Sequence, residues 1–274
     1  MNTEFVGLIL IIITVIVSYK GFNDKTFFNA YAFNVGSILE RKDYKRLISS
    51  GFLHGSWMHL AFNMISLYSF SSLAYGVGTV RFLIIYFASL LGGNLLSLFM
   101  HRHNRNYTAI GASGAVCGII FAAIAYDSHL SLTMMFIPVA IPGWVYALMF
   151  IGITIFGIRS QSGNIGHEAH LGGALVGQLI LIAFYPEALM YNTLPIVLTM
   201  APSIIFLFLV ARRPAFLVTG SFTNTRLGET DDDRYNADRK QRQAEVDKLL
   251  EKIHSSGFDG LTPQERDRLD KLTR

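Results

Sequence analysis

The chain has 274 residues, 51% hydrophobic and only 15% charged, with a net charge of +4. A soluble globular domain carries about 25% charged residues, so this composition excludes an ordinary soluble fold. The mild, mixed-sign charge argues against a nucleic-acid surface, and the lone Cys117 excludes an intrachain disulfide.

Charge is unevenly spread. It is dense after Arg212 and confined before it to short patches between apolar runs. The chain therefore divides into a membrane core and a polar tail. A spanning helix needs ~20 apolar residues. Residues 5–19 are a short first helix. They follow no basic segment and precede no small-x-small cleavage site, so they read as a span rather than a signal peptide. Residues 20–56 form a connection longer than usual, with a basic cluster at Arg41, Lys42, Lys45 and Arg46. Connections of this length are usually functional or disordered. Residues 57–75 are a second span, broken by Gly76-Val77-Gly78, and residues 82–100 a third. Polar residues 101–107 make a loop. A fourth apolar run follows Ser113 and ends near Tyr126, with Cys117 as a packing residue. Pro138 and Pro142 exclude regular helix at the start of residues 132–158, which leaves 144–158 as the fifth helix. A sixth begins near His167 and ends before Pro186. Residues 194–211 are a seventh, kinked at Pro202.

Small residues recur at helix-packing spacing: Gly92 and Gly93, Gly114 and Gly118, Gly173 and Gly177. In the tail, Val246, Leu249, Leu250 and Ile253 fall at helical spacing. Thr262-Pro263-Gln264-Glu265 is a capping box that starts a second short helix.

Chemistry concentrates in two places, Gly111-Ala112-Ser113-Gly114 and Ala169-His170-Leu171-Gly172-Gly173. Ionisable groups at membrane depth default to a functional reading. Serine is a poor nucleophile until a base takes its proton. A helix beginning at Ser113 would aim its first N–H groups at a developing oxyanion. Taken singly, the serine segment could be a packing seam and the histidine an interhelical hydrogen bond. Glu168 is two residues from His170 and does not share its helix face, which favours a dyad over a triad. His59 and Asn63, four apart on one face, both can donate to an oxyanion. An intramembrane metalloprotease would need H-E-x-x-H; His167-Glu168-Ala169-His170 has the wrong spacing. No metal and no cofactor are expected. A transporter lacks support because no internal repeat of the spans is evident.

His59-Leu60-Ala61-Phe62-Asn63, Gly111-Ala112-Ser113-Gly114 and Ala169-His170-Leu171-Gly172-Gly173-Ala174-Leu175-Val176-Gly177 resemble, in order and spacing, the three signature motifs of rhomboid intramembrane serine proteases. The resemblance covers roughly residues 5–185. It implies an all-α polytopic membrane protein with a six-helix core. It implies Ser113 as nucleophile, His170 as general base, and His59, Asn63 and the Ser113 amide as the oxyanion hole. Gly111 and Gly114 belong to the serine motif. Gly173 and Gly177 match glycines that let the histidine helix pack on the serine helix. Arg46 matches the arginine of the family's first-loop motif, with Lys45 where tryptophan is common. The seventh span resembles an extra C-terminal helix, and the tail a short module of some bacterial rhomboids.

The expected organisation is a catalytic core at 1–186, an added transmembrane helix at 187–213, a linker at 214–243 and a helical tail at 244–274. The expected activity is hydrolysis of peptide bonds in or near transmembrane segments through a Ser–His dyad. The alternative is a catalytically silent rhomboid-like protein that binds client helices. Expected partners are transmembrane protein substrates, the bilayer and a partner for the tail. The expected location is a bacterial inner membrane. The family orientation puts the active site on the extracytoplasmic side, whereas the positive-inside rule applied to Arg212 and Arg213 points the other way. The side of the tail stays open.

Overall fold

In lipid every backbone polar group must be satisfied within the chain, so apolar runs fold as helices. The computed structural model describes residues 5–127, 129–134, 137–160, 166–212, 245–253 and 258–273. Helix α1 is Val6–Asn23. The long connection after it is ordered by three short helices, α2 (Lys25–Tyr31), α3 (Val35–Glu40) and α4 (Arg46–Ser49), and a two-residue strand β1 (Phe33–Asn34). Asp24 caps α2 by accepting from the Phe27 amide, and Asn34 caps α3 by accepting from Ser37. Arg46 explains why this segment holds together. Its buried guanidinium donates to Asn29 O and Ala32 O, both at 2.7 Å, and to Asp43 at 2.8 Å. Lys45 is a surface residue with its ammonium 5.3 Å from the Tyr31 ring.

The expected second span is two helices, α5 (Trp57–Phe70) and α6 (Leu73–Val77). At the break the Ser71 hydroxyl bonds back to Leu67 O at 2.7 Å, a bond that bends helices. Helix α7 (Thr79–Met100) follows, then strand β2 (Thr108–Ala109), which pairs antiparallel with β1. Helix α8 is Ser113–Tyr126. Where the prolines excluded helix there is an antiparallel hairpin, β3 (Ser131–Met134) and β4 (Ile137–Pro142). Then come α9 (Gly143–Ser160), α10 (His167–Phe184), α11 (Ala188–Tyr191) and α12 (Thr193–Arg212), which contains Pro202. The two small strand pairs are the only sheets among the described residues.

Among the described residues five helices, α1, α7, α9, α10 and α12, are long and apolar enough to cross a membrane. Helices α5 and α8 have 14 residues each and fall short of a full span. Helix α8 compensates by position: every residue from Gly114 to Ala125 is buried. It lies against α7 and α10, the most closely packed pair in the bundle, while α12 leans mainly on α9.

Small residues make that packing possible. A Cβ on Gly173 would collide with the Gly114 carbonyl, and one on Gly177 with the Gly118 backbone. Gly93 is pressed against the Ala169 backbone in the same way. The seam fixes how far α10 can slide on α8. Gly177→Val should therefore destabilise the folded protein by about 1–3 kcal/mol or more. Gly152→Val on α9, where nothing lies within 4 Å, should be near neutral. Thermal unfolding of both variants in detergent checks the contrast.

The chain forms two compact units, residues 1–224 and 225–274. In the second, residues 245–253 are helical (α13) and α14 is Pro263–Thr273. The capping box is formed: the Glu265 carboxylate accepts from the Thr262 amide at 2.8 Å, and Thr262 Oγ1 accepts from the Glu265 amide at 3.3 Å. Lys252 first, and then the Thr262 amide, hold the Glu265 carboxyl down at about 2. Of the expected apolar stripe, Leu249 is buried but Leu250 is 51% exposed. The expected linker, residues 214–243, lies outside the described residues.

Candidate active site

The site is built where α8 and α10 begin. The chain enters α8 through Gly111, whose φ of +116° an L side chain rarely adopts. A Cβ there would also lie 2.9 Å from the His59 ring. The Gly111 amide donates to Ser50 O at 3.0 Å, and the Ala112 amide to His54 Nε2 at 3.3 Å. No side chain caps α8, and the first amides of a helix have no intrahelical acceptor.

His54 is fully buried, and its hydrogen bonds determine its tautomer. The Ser18 hydroxyl donates to Phe52 O at 2.9 Å, so it accepts from His54 Nδ1, also at 2.9 Å. That leaves Nε2 as the acceptor for Ala112. Burial first, and then the neighbouring His59, push His54 down to about 3. The unfolded chain therefore binds a proton between about pH 3 and 6.5 that the folded chain does not. This contribution to stability is complete above pH 6.5 and declines as pH falls. At pH 5 the loss should be about 2 kcal/mol. Unfolding curves at pH 7 and 5 test it, with His54→Gln expected to flatten the difference. Sequence reading passed over His54. Its only signal was a histidine five residues before His59, and burial gave it its role.

His170 lies in the first turn of α10, and its Nε2 is 2.7 Å from Ser113 Oγ. Residues 57 apart in sequence meet there. Helix α5 carries His59, whose ring is edge-on to His54 at 4.9 Å, and Asn63, which is buried. Asn63 Nδ2 donates one hydrogen to His59 O at 3.0 Å and keeps a second. Helix α9 brings the Phe150 ring to 5.9 Å from His170, with Tyr146 stacked on Phe150. Helices α5 and α9 make little contact with each other. Glu168 turns away from His170 towards His101, which is 3.1 Å away. Among the described residues no three His, Cys, Asp or Glu side chains are grouped to hold a metal ion.

The Rhomboid domain family matches residues 41–187, more than half of the chain. The chain belongs to the rhomboid family. It is 32% identical over 150 residues to Rhomboid protein 1, mitochondrial, of Saccharomyces cerevisiae, covering 52% of this rhomboid and 43% of the yeast protein. It is 30% identical over 190 residues to RHOMBOID-like protein 12, mitochondrial, of Arabidopsis thaliana, covering 63% and 56%. It is 30% identical over 151 residues to Rhomboid protease GluP of Bacillus subtilis, covering 54% and 27%. This rhomboid thus spans about half the length of the first two relatives. Residues 229–274 match a family of unknown function, DUF6576. A multi-pass membrane protein is the common denominator. The bacterial inner membrane expected from sequence is not supported, because relatives with mitochondrial names stand beside the bacterial one.

Proposed function

We propose that this rhomboid is an intramembrane serine endopeptidase with Ser113 as nucleophile and His170 as general base. The observation that carries the reading is the 2.7 Å contact between His170 Nε2 and Ser113 Oγ. Neutral His170 takes the hydroxyl proton as Oγ attacks a peptide carbonyl carbon. The tetrahedral oxyanion is received by the Ser113 amide, Asn63 and His59. Collapse releases the amine half of the client, which leaves with the proton from His170. Water then attacks the acyl-enzyme, again giving its proton to His170, and the second collapse frees the acid half and returns the proton to Ser113.

The substrates are membrane proteins whose transmembrane segments reach the dyad from the side. Helices α5 and α9 both bring residues to the dyad and make little contact with each other, and a client helix enters between them. The catalytic core is residues 1–186, with an added helix at 187–213, a linker at 214–243 and a tail module at 244–274. The tail carries no catalytic set and serves client choice or docking on a partner.

The test uses the full chain in liposomes with a single-span reporter substrate and a fluorophosphonate that labels activated serines. Cleavage and labelling that both need Ser113 support the reading. A protein that binds clients but neither cleaves nor labels would be a client-binding relative instead.

A further inference from the structure

Glu168 is 8% exposed in the first turn of α10, two residues before His170. A carboxylate in a spanning helix is costly, and such residues mark function by default. Its partner comes from another helix end. His101, one residue beyond α7, places Nε2 3.1 Å from Glu168 Oε1. The His101 ring is stacked on Tyr107 with centroids 3.6 Å apart and planes 7° apart. Tyr107 meets the Phe33 ring edge-on at 6.1 Å, and its carbonyl accepts from the Val35 amide at 3.1 Å. The pair is thus held by a block that joins the end of α7, the β1–β2 pair and α10.

Stability alone is a poor reason to keep such a pair, because well-packed apolar side chains do as well or better. Its place beside His170 suggests another use. Residues two apart on a helix do not touch, but charge acts over longer distances where the dielectric is low.

We propose that Glu168, held by His101, is a positioning residue that supplies the negative charge absent from the Ser113–His170 dyad. This rests on the reading of Ser113 and His170 as nucleophile and base. When the proton passes from Ser113 Oγ to His170 Nε2, an imidazolium forms two residues along α10 from a buried carboxylate. Glu168 takes no proton and touches no substrate.

Two variants separate charge from shape. Glu168→Asp keeps the charge and shortens the side chain; Glu168→Gln keeps the shape and loses the charge. Full-length protein in liposomes is assayed for kcat, KM and thermal midpoint. The expected result is that Asp stays within about threefold of wild-type kcat while Gln falls about tenfold or more, with KM and midpoint little changed. The reverse order, with Gln active and Asp impaired, would assign Glu168 to packing and overturn the proposal. Equal activity of both with wild type, or losses that track a falling midpoint, would overturn it too. Wild-type cleavage and fluorophosphonate labelling are measured first. Their absence defeats the proposed function itself, whereas an active wild type with an active Gln variant defeats only the charge assignment.

Discussion

Ser113→Ala and His170→Ala should each lower kcat by about four to six orders of magnitude, below detection for a reporter substrate in liposomes. The two side chains act as one unit through a single 2.7 Å contact. Without the hydroxyl there is no acyl-enzyme. Without the imidazole there is no acceptor for the proton at neutral pH. The losses should not add: the double variant should be no slower than either single one. Folding should persist. The contact is one partly buried hydrogen bond, worth about 0.5–1.5 kcal/mol. The glycine seam that brings α8 and α10 together is untouched by either change. Turnover and thermal midpoint of the three variants check this. Turnover by Ser113→Ala within about tenfold of wild type would remove the serine from the mechanism.

Asn63→Ala should cost about ten- to a thousandfold in kcat and little in KM. Asn63 spends one Nδ2 hydrogen on His59 O, and the second is available to an oxyanion. A donor of this kind matters only as negative charge develops, so its removal shows in kcat. The loss should be smaller than for Ser113, because the Ser113 amide and His59 remain. Asn63→Asp keeps the shape but turns the donor into an acceptor, and it should be at least as damaging. Michaelis–Menten analysis of both variants is the measurement. An effect confined to KM would make Asn63 a substrate contact.

Much of the architecture was legible because its causes are local. Lipid leaves the backbone no other partners, so the apolar runs announce helices. Prolines at 138 and 142 announced a break, and the break is the β3–β4 hairpin. Thr262 and Glu265 announced a helix start, and their reciprocal bonds form it. The failures were places where a distant contact decides. The connection at residues 20–56 looked like a loop because its organiser, Arg46, reaches carbonyls 14 and 17 residues away. Residues 57–75 looked like one span because composition does not register the bend at Ser71. Leu250 belonged to an apolar stripe by spacing, yet it faces outward.

By itself, then, the sequence determined the apolar helices, their order and the small-residue seams, and it pointed to Ser113, His170, His59 and Asn63 as candidates for acyl transfer. These follow from residue type and spacing along the chain. Only the tertiary structure decided that Ser113 and His170 meet, since backbone contact between Gly173 and Gly114 sets the offset of two helices. Only it turned His54 into the anchor of the Ala112 amide, through bonds to segments 36 and 58 residues away. And only it paired Glu168 with His101, because a buried carboxylate takes whichever partner the neighbouring helix end can bring within reach.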